Sequence, residues 1–293
     1  MAFTASAHAK YILSGEHSVL REGRAVVFPI PSMELKIKYE PGSGGLDVSV
    51  NGSDKDSLVL VFCGVIEQSM RLLGIKNHGL KGKITIENNI PLGRGLGFSA
   101  ALCVAVARLF VFLGVISEPD IVVFATRLED YFHGSSSGVD VLGAISNIGV
   151  CVLGRDKYTN IDKSWSPRLY LMCSGRISRT SDCVKKVNEL ISYNPLLSKE
   201  VDRDMCVAID LALSGLKENK NLGFKHLSES ISLSQSCFER WGLVPEEVEN
   251  KINHMRSHGA EAVKITGAGD GGFLLGLWKE RPDSLILNSL IPV

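Results

Sequence analysis

The spacing of apolar positions along this chain changes period several times, and each change marks an element. Tyr11–Leu13 is a short apolar run, and Glu34–Tyr39 alternates polar with apolar residues, so both predict strands. Lys83–Asn88, KITIEN, alternates in the manner of a half-buried strand. Between them, Pro41–Gly45 predicts a turn, and a helix capped by Asp56 runs to about Leu73. A glycine-rich turn at Pro91–Gly97 leads into a strongly helical apolar segment from Ser99 to Gly114. A further helix covers Pro119–Tyr131, with Glu118 and Asp120 near its positive end, and Gly134–Gly138 is a loop.

The second half has a different rhythm. Arg168–Cys173 predicts a strand, and helical periodicity then dominates: Ser181–Tyr193, Lys199–Leu216, Phe224–Trp241 and Pro245–His258. Strand Ala262–Thr266, a glycine-rich turn and strand Phe273–Trp278 close the pattern. A polar, proline-containing stretch at Lys163–Pro167 suggests a boundary, giving an expected N-terminal domain at 1–165 and a C-terminal one at 166–293.

Composition narrows the class. The chain is 45% hydrophobic and 22% charged, as a globular protein with a real core should be. Its 32 basic and 32 acidic side chains cancel, which argues against nucleic acid or an anionic membrane as partner and leaves room for a local anion site. The seven cysteines are odd in number and form no CxxC pair, so free thiols in a reducing, cytoplasmic compartment are expected. The first residues lack a basic stretch followed by an apolar one, and the apolar run Ala100–Ile116 is broken by Arg108 and Gly114, so neither a signal peptide nor a membrane span is expected.

Four short segments could carry chemistry. In PLGRGLGFSA, Pro91, Gly93, Arg94, Gly95, Leu96 and Gly97 form a turn whose glycines let backbone curl around a ligand, and Phe98, Ser99 and Ala100 open a helix whose free N–H groups favour phosphate. The spacing fits neither a Walker A loop nor GxGxxG, and a tight structural connection is the competing reading. In LEDYFHGSSSGVD, Glu129 sits near a helix C-terminus, where a carboxylate is disfavoured unless a cation attends it, and Asp140 follows a loop of small residues. A solvated glutamate and a turn-forming aspartate explain the same letters. In AKYILSGEH, Lys10 borders an apolar strand and Gly15 permits a turn displaying Glu16 and His17; a surface lysine and a polar turn are the alternative. In KITGAGDGG, the glycines suit close approach of a ligand or another segment, and a plain hairpin would also account for them.

Taken in order, these segments resemble the three motifs of the GHMP kinases. AKYILSGEHSVLREGRAVVFPI resembles the first motif, PLGRGLGFSAAL the second or phosphate loop, and KITGAGDGG the third. Within the superfamily, the GEH-S-V segment, HGSSSGVD and Leu233–Val244 are most similar to those of mevalonate kinases. The resemblance implies an α/β (α+β) fold with an S5-like N-terminal and a ferredoxin-like C-terminal domain, the active site lying between them. It implies an ATP-dependent kinase acting on a small-molecule alcohol such as mevalonate, with Mg2+. Asp140 and Lys10 become the catalytic pair, Ser99 and Glu129 the metal ligands, and Pro91–Ala100 the ATP-binding loop. Glu16, His17, Asp140, Thr266 and Gly267 become substrate residues, with His17 a candidate partner for the substrate carboxylate and Arg155 a weaker one. Homodimer formation is left open.

Several positions depart from the family pattern. His8-Ala9 stands where Pro-Gly is usual, Phe98 where a second Ser is common, and Asp130 where Arg is frequent. Ser136 replaces the loop proline, Val141 an Asn, and Asp270 interrupts the final glycines. None removes a catalytic group, but several flank the acceptor side. They keep open a phosphomevalonate, homoserine or sugar kinase, or a ligand sensor of this fold without activity.

Overall fold

The computed structural model describes residues 2–51, 55–75, 80–134 and 136–293. The chain divides into two compact units, Met1–Lys10, Pro29–Pro91 and Gly97–Asn147 forming one, Tyr11–Phe28, Leu92–Leu96 and Ile148–Val293 the other. Two long strands, β1 (Phe3–Ser14) and β2 (Ala25–Pro41), pair with each other and supply residues to both units. The short helix α1 (Val19–Glu22) lies between them in sequence.

In the first unit, β3 (Leu46–Asn51) runs parallel to β4 (Gly82–Asn88), and β4 pairs antiparallel with Leu35–Pro41 of β2. Helix α2 (Lys55–Leu72) turns Phe62, Val65 and Ile66 inward. Helix α3 (Phe98–Phe112) is buried on every face from Ala100 to Ala107, as its unbroken apolar sequence requires. It packs against α4 (Ile121–His133) and α5 (Val139–Ile145), and α4 is entered through a 3-10 turn at Glu118–Asp120 with proline in its first positions. Arg108, within this apolar helix, donates to the Ser6 carbonyl of β1. The segment joining α4 to α5 is short, so the ends of these helices stay close.

In the second unit, Ala25–Val27 of β2 pairs with β5 (Val150–Val152), which pairs with β6 (Tyr158–Asn160). A separate antiparallel sheet has the order β10-β7-β9-β8, from β7 (Arg168–Cys173), β8 (Ala260–Thr266), β9 (Phe273–Trp278) and β10 (Leu290–Pro292). Helices α6 (Thr180–Tyr193), α7 (Pro195–Lys217), α8 (Lys220–Arg240) and α9 (Glu246–Ser257) accompany it, and α10 (Ser284–Leu287) precedes β10. The Asn194 and Asn219 side chains accept from first-turn N–H groups of α7 and α8, which fixes where each helix begins. Val263, Ile265, Leu274 and Trp278 from the sheet share one apolar core with Met205, Phe238, Trp241, Ile252 and Met255. Among the described residues, no helix is long and apolar enough to cross a membrane.

Candidate active site

The first unit gathers four of the predicted residues. Lys10, near the middle of β1, is 1% exposed, and its Nζ lies 2.8 Å from Asp140 Oδ1. Asp140 occupies the first turn of α5, where the helix dipole favours a carboxylate. The pair is therefore an ion pair with one end buried and the other accessible.

Glu129 lies one turn before the end of α4 and is 1% exposed. Its Oε2 accepts from the Ser136 hydroxyl at 2.7 Å, while its Oε1 is buried without a hydrogen-bond partner among the described residues. Burial, reinforced by the negative charge of Asp140, pushes its carboxyl up to about 8, against the opposing effects of Ser136 and Lys10. Ser99, in the first turn of α3, places its Oγ 3.2 Å from His133 Nε2, and the same nitrogen is 3.9 Å from Glu129 Oε1. Burial lowers the His133 pKa, so this ring favours its neutral form.

The turn before α3 has two kinds of residue. Leu96 and Ala100 are buried and anchor it, whereas Gly93 is exposed. Gly97 is the N-cap of α3 at φ 77°, and no side chain caps the helix there, so its first N–H groups keep their capacity for an anion. A Cβ at Gly97 would lie 2.9 Å from Lys10 Cγ, so the glycine leaves room for the lysine stem. Phe98 and Ser99 are half-buried in the same turn of helix. Pro91 precedes the turn in the first unit, and Arg94, in the second, donates from Nη1 to Cys173 Sγ at 2.7 Å.

The second unit brings together the first-motif turn and the third motif. Thr266 Oγ1 accepts from Ile12 N–H at 2.8 Å and lies 3.1 Å from Ile12 O, which locks β8 to β1. A Cβ on Gly267 would fall 3.2 Å from Gly95 O, so the third-motif turn closely abuts the glycine-rich turn. The Glu16 carboxylate receives the ammonium of Lys264, which is fully buried and also donates to Ile265 O at 2.6 Å and Ile12 O at 3.3 Å. His17, with left-handed backbone at φ 55°, donates through Nε2 to Ala268 O at 2.7 Å and stands edge-on to Trp241. Burial lowers its pKa to about 4, so the ring is neutral and Nδ1 is its acceptor. Arg155 is exposed in the turn joining β5 to β6.

Three of the departures from the family pattern, Asp130, Ser136 and Asp270, find hydrogen-bonding partners. Asp270 takes up left-handed backbone at φ 60°, which Asp tolerates better than most side chains, and Arg176 contacts both its carboxylate, at 3.1 Å, and its carbonyl, at 2.7 Å. Asp130 Oδ1 accepts from the Ser136 N–H at 2.6 Å, a bond that proline could not make. Of the loop between α4 and α5, residue 135 lies outside the described residues. Lys264 and His133 lie inside the motifs and Ser136 is named only as a departure; none of the three has a site role assigned from sequence. Only Lys264 carries a signal that could have found it, being a charged residue inside an apolar strand.

The fold agrees with comparison to known proteins. Residues 60–148 match the family of GHMP kinases, N terminal domain, a class of small-molecule kinases. Mevalonate kinase of Archaeoglobus fulgidus is 30% identical over 291 residues, covering 95% of this chain and 93% of that protein. Mevalonate kinase of Aeropyrum pernix is 29% identical, covering 99% and 93%. The chain therefore belongs to the mevalonate kinases of the GHMP kinase family. L. major mevalonate kinase, solved in complex with R-mevalonate, superposes with a TM-score of 0.77 at 20% identity, over 95% of this chain and 87% of that one, a likeness of fold.

Proposed function

We infer that this protein transfers the terminal phosphate of ATP to the primary alcohol of mevalonate, giving 5-phosphomevalonate. The observation that carries the reading is the Lys10–Asp140 pair, a buried ammonium holding an accessible carboxylate at 2.8 Å. Asp140 orients the substrate hydroxyl and takes its proton as the bond to phosphorus forms. Lys10 pairs with that carboxylate and lowers the cost of charge on the attacking oxygen. The backbone from Gly93 to Ala100 binds the ATP phosphates. Glu16, His17, Thr266 and Gly267 serve the substrate side, and the neutral His17 ring brings no positive charge to it.

The residues fit a magnesium ion. Glu129 keeps one carboxylate oxygen buried and, among the described residues, without a hydrogen-bond partner; it lies 3.9 Å from His133 Nε2, the ring nitrogen that the Ser99 hydroxyl approaches to 3.2 Å. Hard oxygen donors of this kind, few in number, are what Mg2+ takes beside phosphates. Ser99 and Glu129 would hold it, and when bound it supplies neutralisation of phosphate charge.

The test is ADP release from ATP across a panel of acceptors: mevalonate, phosphomevalonate, homoserine and a sugar. Turnover on mevalonate above the others is expected, with phosphate found on its primary alcohol. Turnover only on another acceptor would move the protein to a sister kinase, and nucleotide binding without turnover on any would make it a sensor.

A further inference from the structure

Ser136 is the meeting point of three hydrogen bonds that join the end of α4 to the start of α5. Its N–H donates to Asp130 Oδ1 at 2.6 Å, its hydroxyl donates to Glu129 Oε2 at 2.7 Å, and its Oγ accepts from Gly138 N–H at 3.1 Å. A hydroxyl has one proton and two lone pairs, so giving the proton to Glu129 while accepting from Gly138 is self-consistent. Gly138 is the N-cap of α5, whose first turn carries Asp140. One serine therefore links the two acidic residues of the first-unit cluster, Glu129 directly and Asp140 through the helix start.

We propose that Ser136, held by Asp130, is a positioning residue that sets the aim of Glu129 toward the cation. The proposal rests on the functional reading above, in which Glu129 serves a magnesium ion. With Oε2 occupied by Ser136, rotation of the carboxylate is restrained and Oε1 is the oxygen left to coordinate. Asp130 contributes by fixing the Ser136 backbone, so the hydroxyl is presented from a set position. Without the hydroxyl, the buried Glu129 carboxyl group loses a hydrogen bond and is free to turn. A partner of this kind, one shell out from a metal, commonly changes metal affinity by about 10- to 100-fold.

The experiment measures Mn2+ affinity by electron paramagnetic resonance of free Mn2+, with a non-hydrolysable ATP analogue at saturation, together with mevalonate turnover and thermal melting. Ser136→Ala should weaken Mn2+ about tenfold or more. Ser136→Gly, which keeps the N–H to Asp130, should do the same, and guards against a folding defect peculiar to one variant. Ser136→Thr, which keeps the hydroxyl, should return affinity to within about threefold of the parent, well inside the loss expected on deletion. Melting temperatures close to the parent's alongside weakened Mn2+ binding separate positioning from general destabilisation. Parent-like Mn2+ affinity in both Ser136→Ala and Ser136→Gly, while the parent binds Mn2+ and turns over mevalonate, overturns the proposal alone. A parent that neither binds Mn2+ with nucleotide nor phosphorylates mevalonate overturns the functional reading, and the proposal with it.

Discussion

Lys10 Nζ and Asp140 Oδ1 stand 2.8 Å apart, the lysine 1% and the aspartate 31% exposed, although one comes from the first strand and the other from a helix in the middle of the chain. A lysine this buried needs a counter-charge, and Asp140 supplies it while keeping an accessible face. Asp140→Asn keeps the shape and removes the charge; Lys10→Met keeps most of the stem and removes the ammonium. Each should cut mevalonate turnover by about 10²-fold or more, with ATP binding retained. The double variant should be little worse than the worse single, because the two groups act together. Steady-state kinetics decide the matter: a rate for Asp140→Asn within a few fold of the parent would leave Asp140 as a mere turn residue.

Gly97 tests the same pair from the side. Its φ of 77° is left-handed, and a Cβ there would come within 2.9 Å of Lys10 Cγ and 3.0 Å of Lys10 Cε. Gly97→Ala should thus cost about 1–2 kcal/mol in backbone strain and also displace the lysine stem. Gly114 is the control, since its φ is 71° and a Cβ there meets nothing within 4 Å. In urea unfolding Gly97→Ala should lose at least as much stability as Gly114→Ala, which carries only the backbone strain. Only Gly97→Ala should lose turnover, by about tenfold or more, since misplacements on the ångström scale cost up to about 10²-fold. Equal turnover in the two would show that Lys10 does not need the space.

The long helices and the closing hairpin were legible because their periodicity is strong. Predicted Ser181–Tyr193 became Thr180–Tyr193, and Phe273–Trp278 appears unchanged. Strand β1 was not, beyond Tyr11–Leu13. Its inward positions before Lys10 are Ala5, Ala7 and Ala9, all buried, and alanine gives too weak a hydrophobic signal to reveal alternation. β3 was missed although LDVSVN carries Leu46, Val48 and Val50 at alternate positions, the polar turn before it masking the run, and β5, β6 and β10 because strands of three residues have no period to detect. At the site, residue types and order pointed to Lys10, Ser99, Glu129 and Asp140. Which hydroxyl touches Glu129, and that Glu16 meets a buried lysine, depend on tertiary approach and leave no local mark.

That buried lysine gives a stability prediction. Lys264 and Glu16 are almost wholly buried, the ammonium shared between the carboxylate and two backbone carbonyls. Lys264→Met leaves the Glu16 charge without its cation, which should cost about 3–5 kcal/mol. Adding Glu16→Gln removes the stranded charge, so the double variant should recover part of the loss. Urea unfolding of both singles and the double measures this directly. A Lys264→Met protein within about 0.5 kcal/mol of the parent, the range of an ordinary surface change, would mean the pair contributes no such constraint.

His17 makes stability depend on pH in a direction its surroundings fix. The ring is enclosed by Phe238 and Trp241 and donates from Nε2 to Ala268 O. Burial is the main cause that lowers its pKa from 6.5 to about 4; the positive charge of Arg21 acts the same way, while the Ala268 carbonyl and Asp202 oppose it. The unfolded chain therefore takes up a proton on His17 before the folded one does. Above about pH 6.5 both states are neutral and this residue adds no pH dependence. As pH falls from there toward about 4, the unfolded state is favoured progressively, and below that the loss is complete. The whole interval amounts to about 3 kcal/mol, of which about 2 kcal/mol should be lost by about pH 5. Other groups titrate in this range, so the measurement is a difference: urea unfolding of the parent and of His17→Asn at pH 7 and pH 5. Asn tolerates the left-handed backbone at this position and cannot take up the proton. The parent should lose about 2 kcal/mol more than His17→Asn between the two pH values. Parallel losses in both proteins would show that His17 protonates as readily folded as unfolded, and the neutral, acceptor-bearing ring assigned to the substrate side would have to be given up.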